Sequence, residues 1–303
     1  ERAEVISRRL DVNFHSLLDT DLPDHGDAWQ RLLLAGSSDA LFREHFEEYR
    51  AAAVTEFLLW HADNPNAVVT CVARARENAR GVREQISTEM WEELNKLHLY
   101  LAQVRPESVL RSPHDFFVRV REGSHGLQGV MRATLPRGEA FEFLELGTHL
   151  ERADMTARVL AVEYPAVAAS AADSTEGIAR LTALLKSCGV FEAFRKAERS
   201  QFSAPRVLEY ALLERNSPRT VLFCLNACLR SLRGISDGSD APSRALGRLA
   251  AELSFLDAPQ DGAQVARLLE RVLSEVDRIG GEIAAAYFTT RVIIPGPYAQ
   301  AQQ

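Results

Sequence analysis

The 303-residue chain has no long uncharged run, the longest stretch without Asp, Glu, Lys or Arg being the twelve residues from Val292. A membrane-spanning helix needs about 20 predominantly apolar residues, so no span is expected. Cysteine is scarce, four residues in all, which excludes a disulfide framework. Cys224 and Cys228 lie in the apolar run Val221–Leu229 and read as buried free thiols, not a metal clip, with a cytoplasmic setting as the consequence. Lysine is almost missing: Lys96, Lys186 and Lys196 stand against 32 arginines, a bias that lowers the weight of any single Arg. There is no Gly-rich phosphate loop and no Gly-x-Ser-x-Gly elbow, so neither an intrinsic ATP site nor a hydrolase nucleophile is expected. The eight histidines form no H-x₃-H or H-E-x-x-H pattern, and one Glu122-x-x-His125 element falls short of a di-iron set. No metal site is expected. A net charge of −7 argues against a general nucleic-acid binder. No stretch alternates with period two, which excludes an extensive sheet.

What remains is helical. A 46% apolar and 25% charged composition suits a globular chain. Val68, Val72, Ala75, Ala79, Val82 and Ile86 recur at spacings of four and three, predicting a helix over 65–86. Similar patterns cover about 2–18, 40–61, 88–103, 138–164, 243–256 and 261–288. Asn64-Pro65, Ser112-Pro113 and Ser217-Pro218 read as caps followed by a first-turn proline. Loops are expected at Asp19–Asp27, Arg105–Ser112, Ala166–Ser174, Gly234–Pro242 and Asp257–Gly262. Gly123, Gly126 and Gly129 fit either close helix packing or a break. The expectation is an all-α, single multi-helix bundle over 1–303, with the start of the first helix missing because Glu1-Arg2-Ala3-Glu4 reads as a helix interior.

The most informative feature is an internal echo. Residues 1–12 read ERAEVISRRLDV and residues 151–162 read ERADMTARVLAV, identical at six of twelve positions. In the first copy Ala3, Ile6, Leu10, Phe14 and Leu17 form a core stripe, and Glu1, Val5, Arg8 and Val12 lie roughly opposite. The second copy repeats that second face as Glu151, Met155, Arg158 and Val162. A helix apolar on two sides is packed on two sides, which draws the charges inward. Glu and Arg seven apart are separated by about 10.5 Å of rise, so each Glu is expected to meet an Arg from the other copy or from a third helix. Two accounts compete: a structural network, or a pocket whose guanidiniums bind carboxylate or phosphate while carboxylates handle an amine or a proton. Arg76, Arg80 and Arg83, with Glu77 and Glu84, form a third charged ridge that either completes such a pocket or is an exposed face with pairs worth a few tenths of a kcal/mol.

At these elements the chain resembles the alpha-E family, bacterial all-helical proteins named for a Glu-Arg motif. The resemblance rests on Glu1-Arg2-Ala3-Glu4, Leu150-Glu151-Arg152-Ala153-Asp154, Ala75-Arg76-Glu77-Asn78-Ala79-Arg80 and Arg83-Glu84. It continues through Glu89-Met90-Trp91, Asn95, Pro218-Arg219-Thr220-Val221 and Ala286-Tyr287-Phe288. Two features depart from it: the aromatic-rich lead-in to the first Glu-Arg is absent, and Gly147-Thr148-His149 stands where Gly-Arg-Tyr is usual. The resemblance implies a circularly permuted ATP-grasp ligase-like partner, a transglutaminase-like companion, and a peptide or amino-acid conjugate as substrate, with ATP held by the partner. The net charge and the lack of a long apolar run add the expectation of no nucleic acid and no membrane.

The expected function is therefore a component of an amide-bond forming or modifying system that binds an anionic acyl or peptide intermediate, with acyl-transfer or ligase activity as the sharper form. Glu77, Glu84 and Glu151 are the catalytic candidates. Glu1, Arg2, Arg76, Arg80, Arg83, Arg152, Asp154, Arg158 and Arg219 are the ligand-binding candidates. His149 is a further candidate base. The alternative is a non-catalytic helical module that docks onto the ligase, its Glu-Arg network structural only.

Overall fold

In the computed structural model, which describes residues 1–18, 26–171, 174–198, 202–236, 240–256 and 261–288, the first helix, α1 (Arg2–Leu18), is buried nearly all round. Its apolar stripe is inside, with Ala3, Ile6 and Leu10 covered, and so are Glu4, Ser7, Arg9 and Asp11 from the other sides. The side chain of Leu17 lies outside the described set. Helix α2 (Gly26–Ala35) follows, and then the expected helix over 40–61 divides into α3 (Asp39–His45) and α4 (Ala51–Leu59). The physical reason is an aromatic knot: Phe42 stacks on Phe46 and Tyr49 and meets Phe57 edge-on, ring centroids 4.9, 5.4 and 5.3 Å apart, which folds the chain back on itself.

Helix α5 (Val68–Gly81) is shorter than the predicted 65–86. The Asn64 side chain holds the preceding turn by accepting from the Asn66 amide and donating to the Phe57 carbonyl. Beyond Gly81 only a 3₁₀ turn, Arg83–Gln85, continues. Val68 and Val72 are buried as expected, but Ala75 and Val82 are exposed and Arg76 takes the inward position. Helix α6 (Thr88–Gln103) is capped by the Ser87 hydroxyl. The loop expected at Arg105–Ser112 is instead helix α7 (Pro106–Arg111), proline in its first turn and Val109 buried. Helix α8 (Pro113–Thr134) starts at Ser112-Pro113 as read. It runs unbroken through its three glycines, and a Cβ on Gly123 would come within 2.9 Å of Leu97 on α6, so close packing is the reason for that glycine.

Helix α9 (Glu139–Ala169) carries the second Glu-Arg element and passes through Pro165 into the region expected to be a loop. Buried Tyr164 and Val167 anchor that last part. Helices α10 (Thr175–Cys188), α11 (Phe191–Ala197), α12 (Ala204–Leu213), α13 (Val221–Ile235), α14 (Ala241–Ser254) and α15 (Gly262–Ile283) complete the chain, with a π-turn at Ala284–Phe288. Ser217-Pro218 does not open α13; it forms a turn in which Thr220 bonds back to the Ser217 carbonyl, and the helix begins at Val221. The expected loop segments 19–25, 172–173, 237–239 and 257–260 lie outside the described residues. Among the described residues there is no strand, and the chain is all-α. None of the described helices is long and apolar enough to cross a membrane.

Among the described residues two large apolar clusters and a small third one around Met90, Met131 and Leu135 organise the packing. One large cluster gathers α9–α15 around Leu160, Cys228 and Val272; the other gathers α1–α8 around Leu10, Phe57 and Phe117. Helix α1 contributes to one and α9 to the other, so the two Glu-Arg elements meet at the seam between them.

Candidate functional site

At that seam the two copies exchange partners. Arg152 approaches the Glu1 carboxylate with Nε 2.9 Å from Oε1 and donates from Nη2 to Oε2 at 3.0 Å. In return Arg2 grips Glu151 bidentately, Nε to Oε1 at 2.6 Å and Nη2 to Oε2 at 2.8 Å. The echo continues one turn on: Arg8 pairs with Glu4 and Arg158 with Asp154, each four residues apart on its own helix. Thus the matching positions make matching contacts, as the repeat suggested.

The surroundings of the two halves differ. Glu1 and Arg152 have side chains only 6% and 5% exposed. Gln128 of α8 bridges them, donating to Glu1 at 2.8 Å and accepting from Arg152 at 2.8 Å. Arg219, just ahead of α13, reaches Glu1 and Glu4 at 3.0 Å each, and His125 stands 3.5 Å from Glu4. By contrast Arg2 is 42% exposed and turns its remaining nitrogen to the Asn66 side chain at 2.7 Å. Arg158 donates to the Ser37 hydroxyl at 2.6 Å.

Burial pushes the Glu1 carboxyl up, but the hydrogen bond from Arg152 and the charge of Arg219 more than reverse this and hold it below the ordinary value. Glu4 behaves the same way more strongly, through His125, Arg219 and Arg8. Burial and the neighbouring Arg8 and Arg152 lower Arg219, against the pull of both glutamates. The space beside Arg152 and Arg219 is about 10 Å³, room for about one water. The inner half is a filled, paired network.

A larger space opens on the outer half, a cavity of about 120 Å³ with Arg2, Asp154 and Arg158 in its wall, joined by Arg9, Ser37 and Asn66. Glu1, Arg2, Glu151, Arg152, Asp154, Arg158 and Arg219 therefore come together. The ridge on α5 does not join them. Arg76 bonds Asn95 at 2.8 Å and Glu77 at 3.1 Å, and Arg80 bonds Glu77 at 2.7 Å. Arg76 and Arg83 lie over the Trp91 ring, and Glu84 is exposed. Because the helix ends at Gly81, Glu84 leaves the register that would pair it with Arg80. His149 is buried against Phe223 and bonds Glu145 at 3.3 Å, not the Glu-Arg network.

Gln128, Asn66, Ser37 and Arg9 carry no sequence signal of their own, and His125 stands out only in the single Glu122-x-x-His125 element. Glu4 does, since it matches Asp154 in the echo. Among the described residues, two groups have metal-ligand chemistry that spacing does not reveal, Asp11 with His15 and His114, and His45 with His61 and Asp63. In the first, Arg121 already holds the other Asp11 oxygen at 2.9 Å.

Comparison with known proteins gives a consistent answer. The Alpha-E family, described as a predicted alpha-helical domain with a conserved ER motif, matches residues 1–288. Uncharacterized proteins of Mycobacterium bovis and Mycobacterium tuberculosis are each 24% identical over 267 residues, 80% of this chain and 29% of theirs. The chain thus spans less than a third of the length of these relatives. No solved structure matches it. With the paired Glu-Arg elements at the centre of an all-helical fold, the chain belongs to the Alpha-E family.

Proposed function

We propose that the chain is a non-catalytic helical module of a cytoplasmic system that forms or modifies amide bonds, docking onto a circularly permuted ATP-grasp ligase-like partner that holds the ATP. Its buried Glu-Arg network is architectural. The observation that carries this reading is the closure of the inner network: Glu1, Glu4, Arg152 and Arg219 are ion-paired with one another, with space for about one water beside them. A binding site needs room as well as donors, and although Arg8 Nε and Arg152 Nε make no hydrogen bond, the space beside this cluster admits nothing larger than a water. The mycobacterial relatives, of which the matched stretch is 29%, fit a module that works beside other parts.

The test is the pair Glu1→Met with Arg152→Met in the reconstituted system with its ligase. Replacing a buried ion pair by apolar residues of similar volume is often tolerated, so an architectural network predicts a folded protein that still supports amide-bond formation. A folded double variant without activity overturns the reading. It would favour the second one, in which the anionic acyl or peptide intermediate of the system sits in this chain. That second reading draws on the outer cavity, whose wall contains Arg2 and Arg158.

A further inference from the structure

Arg9 lies in the middle of α1, 4% exposed. Its guanidinium donates to two backbone carbonyls, Leu32 at 3.1 Å and Arg31 at 3.3 Å. These account for two of the five N–H groups an arginine carries. Among the described residues no carboxylate forms an ion pair with it. Glu163, the acidic group whose charge reaches it, is taken by Arg31 at 2.9 Å. A buried charge is costly unless paired, and burial accordingly pulls the Arg9 pKa down.

Arg9 forms part of the wall of the outer cavity. There Arg2 is neutralised by Glu151 at 2.6 Å and Arg158 by Asp154 at 2.7 Å, which leaves Arg9 as the cation without a carboxylate. The charge balance of the cavity calls for one negative charge. Ser37, at the rim, adopts φ +52°, a left-handed conformation that serine seldom takes, and its hydroxyl is fixed by Arg158. The rest of the wall includes the aliphatic Ile6, Leu58 and Met155. At about 10–15 Å³ for each water-sized group, a cavity of about 120 Å³ suits a short molecule.

We propose that this cavity binds the carboxylate of a small amino-acid-like or peptide-terminal ligand, with Arg9 as its counter-charge and the aliphatic wall receiving a short side chain. A carboxylate carries the single charge the cavity lacks. A phosphate would bring more, beside the Asp154 carboxylate. The inference deepens the second reading of the function, but it needs no partner protein.

The experiment is titration of the isolated full chain with N-acetylalanine, acetate and inorganic phosphate at low ionic strength. Binding is read by calorimetry and by the ¹⁵Nε signals of the arginines, with Arg9→Met as the variant. N-acetylalanine is expected to bind more tightly than acetate or phosphate and to shift the signal that Arg9→Met deletes. The variant should weaken binding by about tenfold or more, the loss of a charge-assisted hydrogen bond. If Arg9→Met does not fold, Arg9→Lys keeps the charge without the planar fork and should weaken binding severalfold. Tighter binding of phosphate overturns the carboxylate assignment. Absence of saturable binding, or unchanged affinity in the folded Arg9 variant, overturns the site. Because no ligase is present, such a failure leaves the docking reading standing, and failure of docking leaves this one.

Discussion

Glu1 and Arg152, 151 positions apart, meet in the buried half of an exchange that Arg2 and Glu151 complete on the exposed side. The geometry is shared, but the energetics are not. Removing one partner of a buried pair leaves an uncompensated charge and costs about 3–5 kcal/mol, whereas an exposed pair is worth about 0–1 kcal/mol. Arg152→Met is therefore expected to lower the unfolding free energy by several times the loss caused by Arg2→Met. Urea unfolding of the two variants decides it, and equal losses would contradict the division into an inner and an outer half.

Acid should unfold the protein through its paired carboxylates, at this seam and beyond it. Glu1 and Glu4 are held below the ordinary carboxylate value. Glu145 is lowered to about 2, first by its hydrogen bond with His149 and then by Arg132. A carboxyl lowered in the folded state contributes stability that is complete above its unfolded pKa and lost as pH falls toward the folded one. The unfolding free energy should thus be level near neutrality and decline from about pH 5 toward pH 2. Glu145→Gln should flatten the lower part of that decline. A variant whose acid limb matches that of the parent would show that Glu145 does not take part.

Much of this arrangement is legible in the sequence, because helical periods and the echo are local signals. Ala3, Ile6 and Leu10 read as core and are core, and spacing alone argued that a Glu seven residues from an Arg pairs elsewhere. The boundaries were harder. Neither the aromatic knot that divides α3 from α4 nor the Asn64 turn that delays α5 announces itself in a hydrophobic period. In the sequence the ridge on α5 continues through Glu84, yet the helix stops at Gly81. Arg9 was invisible for a different reason: it stands between the two faces that the helical period singles out, in a chain with 32 arginines. Only tertiary packing shows that its partners are carbonyls.

The cysteines should be inert in the native state. Burial pushes the Cys188 and Cys224 thiols up to about 12 and raises Cys228 as well. Thiolate, not thiol, is the reactive form. Cys71 is the partly exposed one, though burial raises it too. With Ellman's reagent at neutral pH the native chain is expected to release slowly at most one equivalent, from Cys71, and all four only in denaturant. Rapid release of two or more would mean that the cluster around α13 opens readily.

Two glycines should respond to alanine with opposite signs. Gly129 is exposed within α8, and an added Cβ would meet nothing within 4 Å. Gly129→Ala should stabilise the chain by about 0.5–1 kcal/mol through helix propensity and lost unfolded-state freedom. Gly189 ends α10 at φ +70°, its amide bonded to the Leu185 and Lys186 carbonyls. A Cβ there would lie 2.7 Å from Arg219 Cδ and 2.9 Å from Arg8 Nη1. Alanine would carry the roughly 1–2 kcal/mol cost of the left-handed conformation and would also press on the two arginines that hold Glu4. Gly189→Ala should therefore destabilise by more than the conformational cost alone. Placing it in an Arg8→Met background separates the two contributions. If the penalty falls there, part of it is contact with Arg8; if it is unchanged, the backbone conformation and the Arg219 contact account for it.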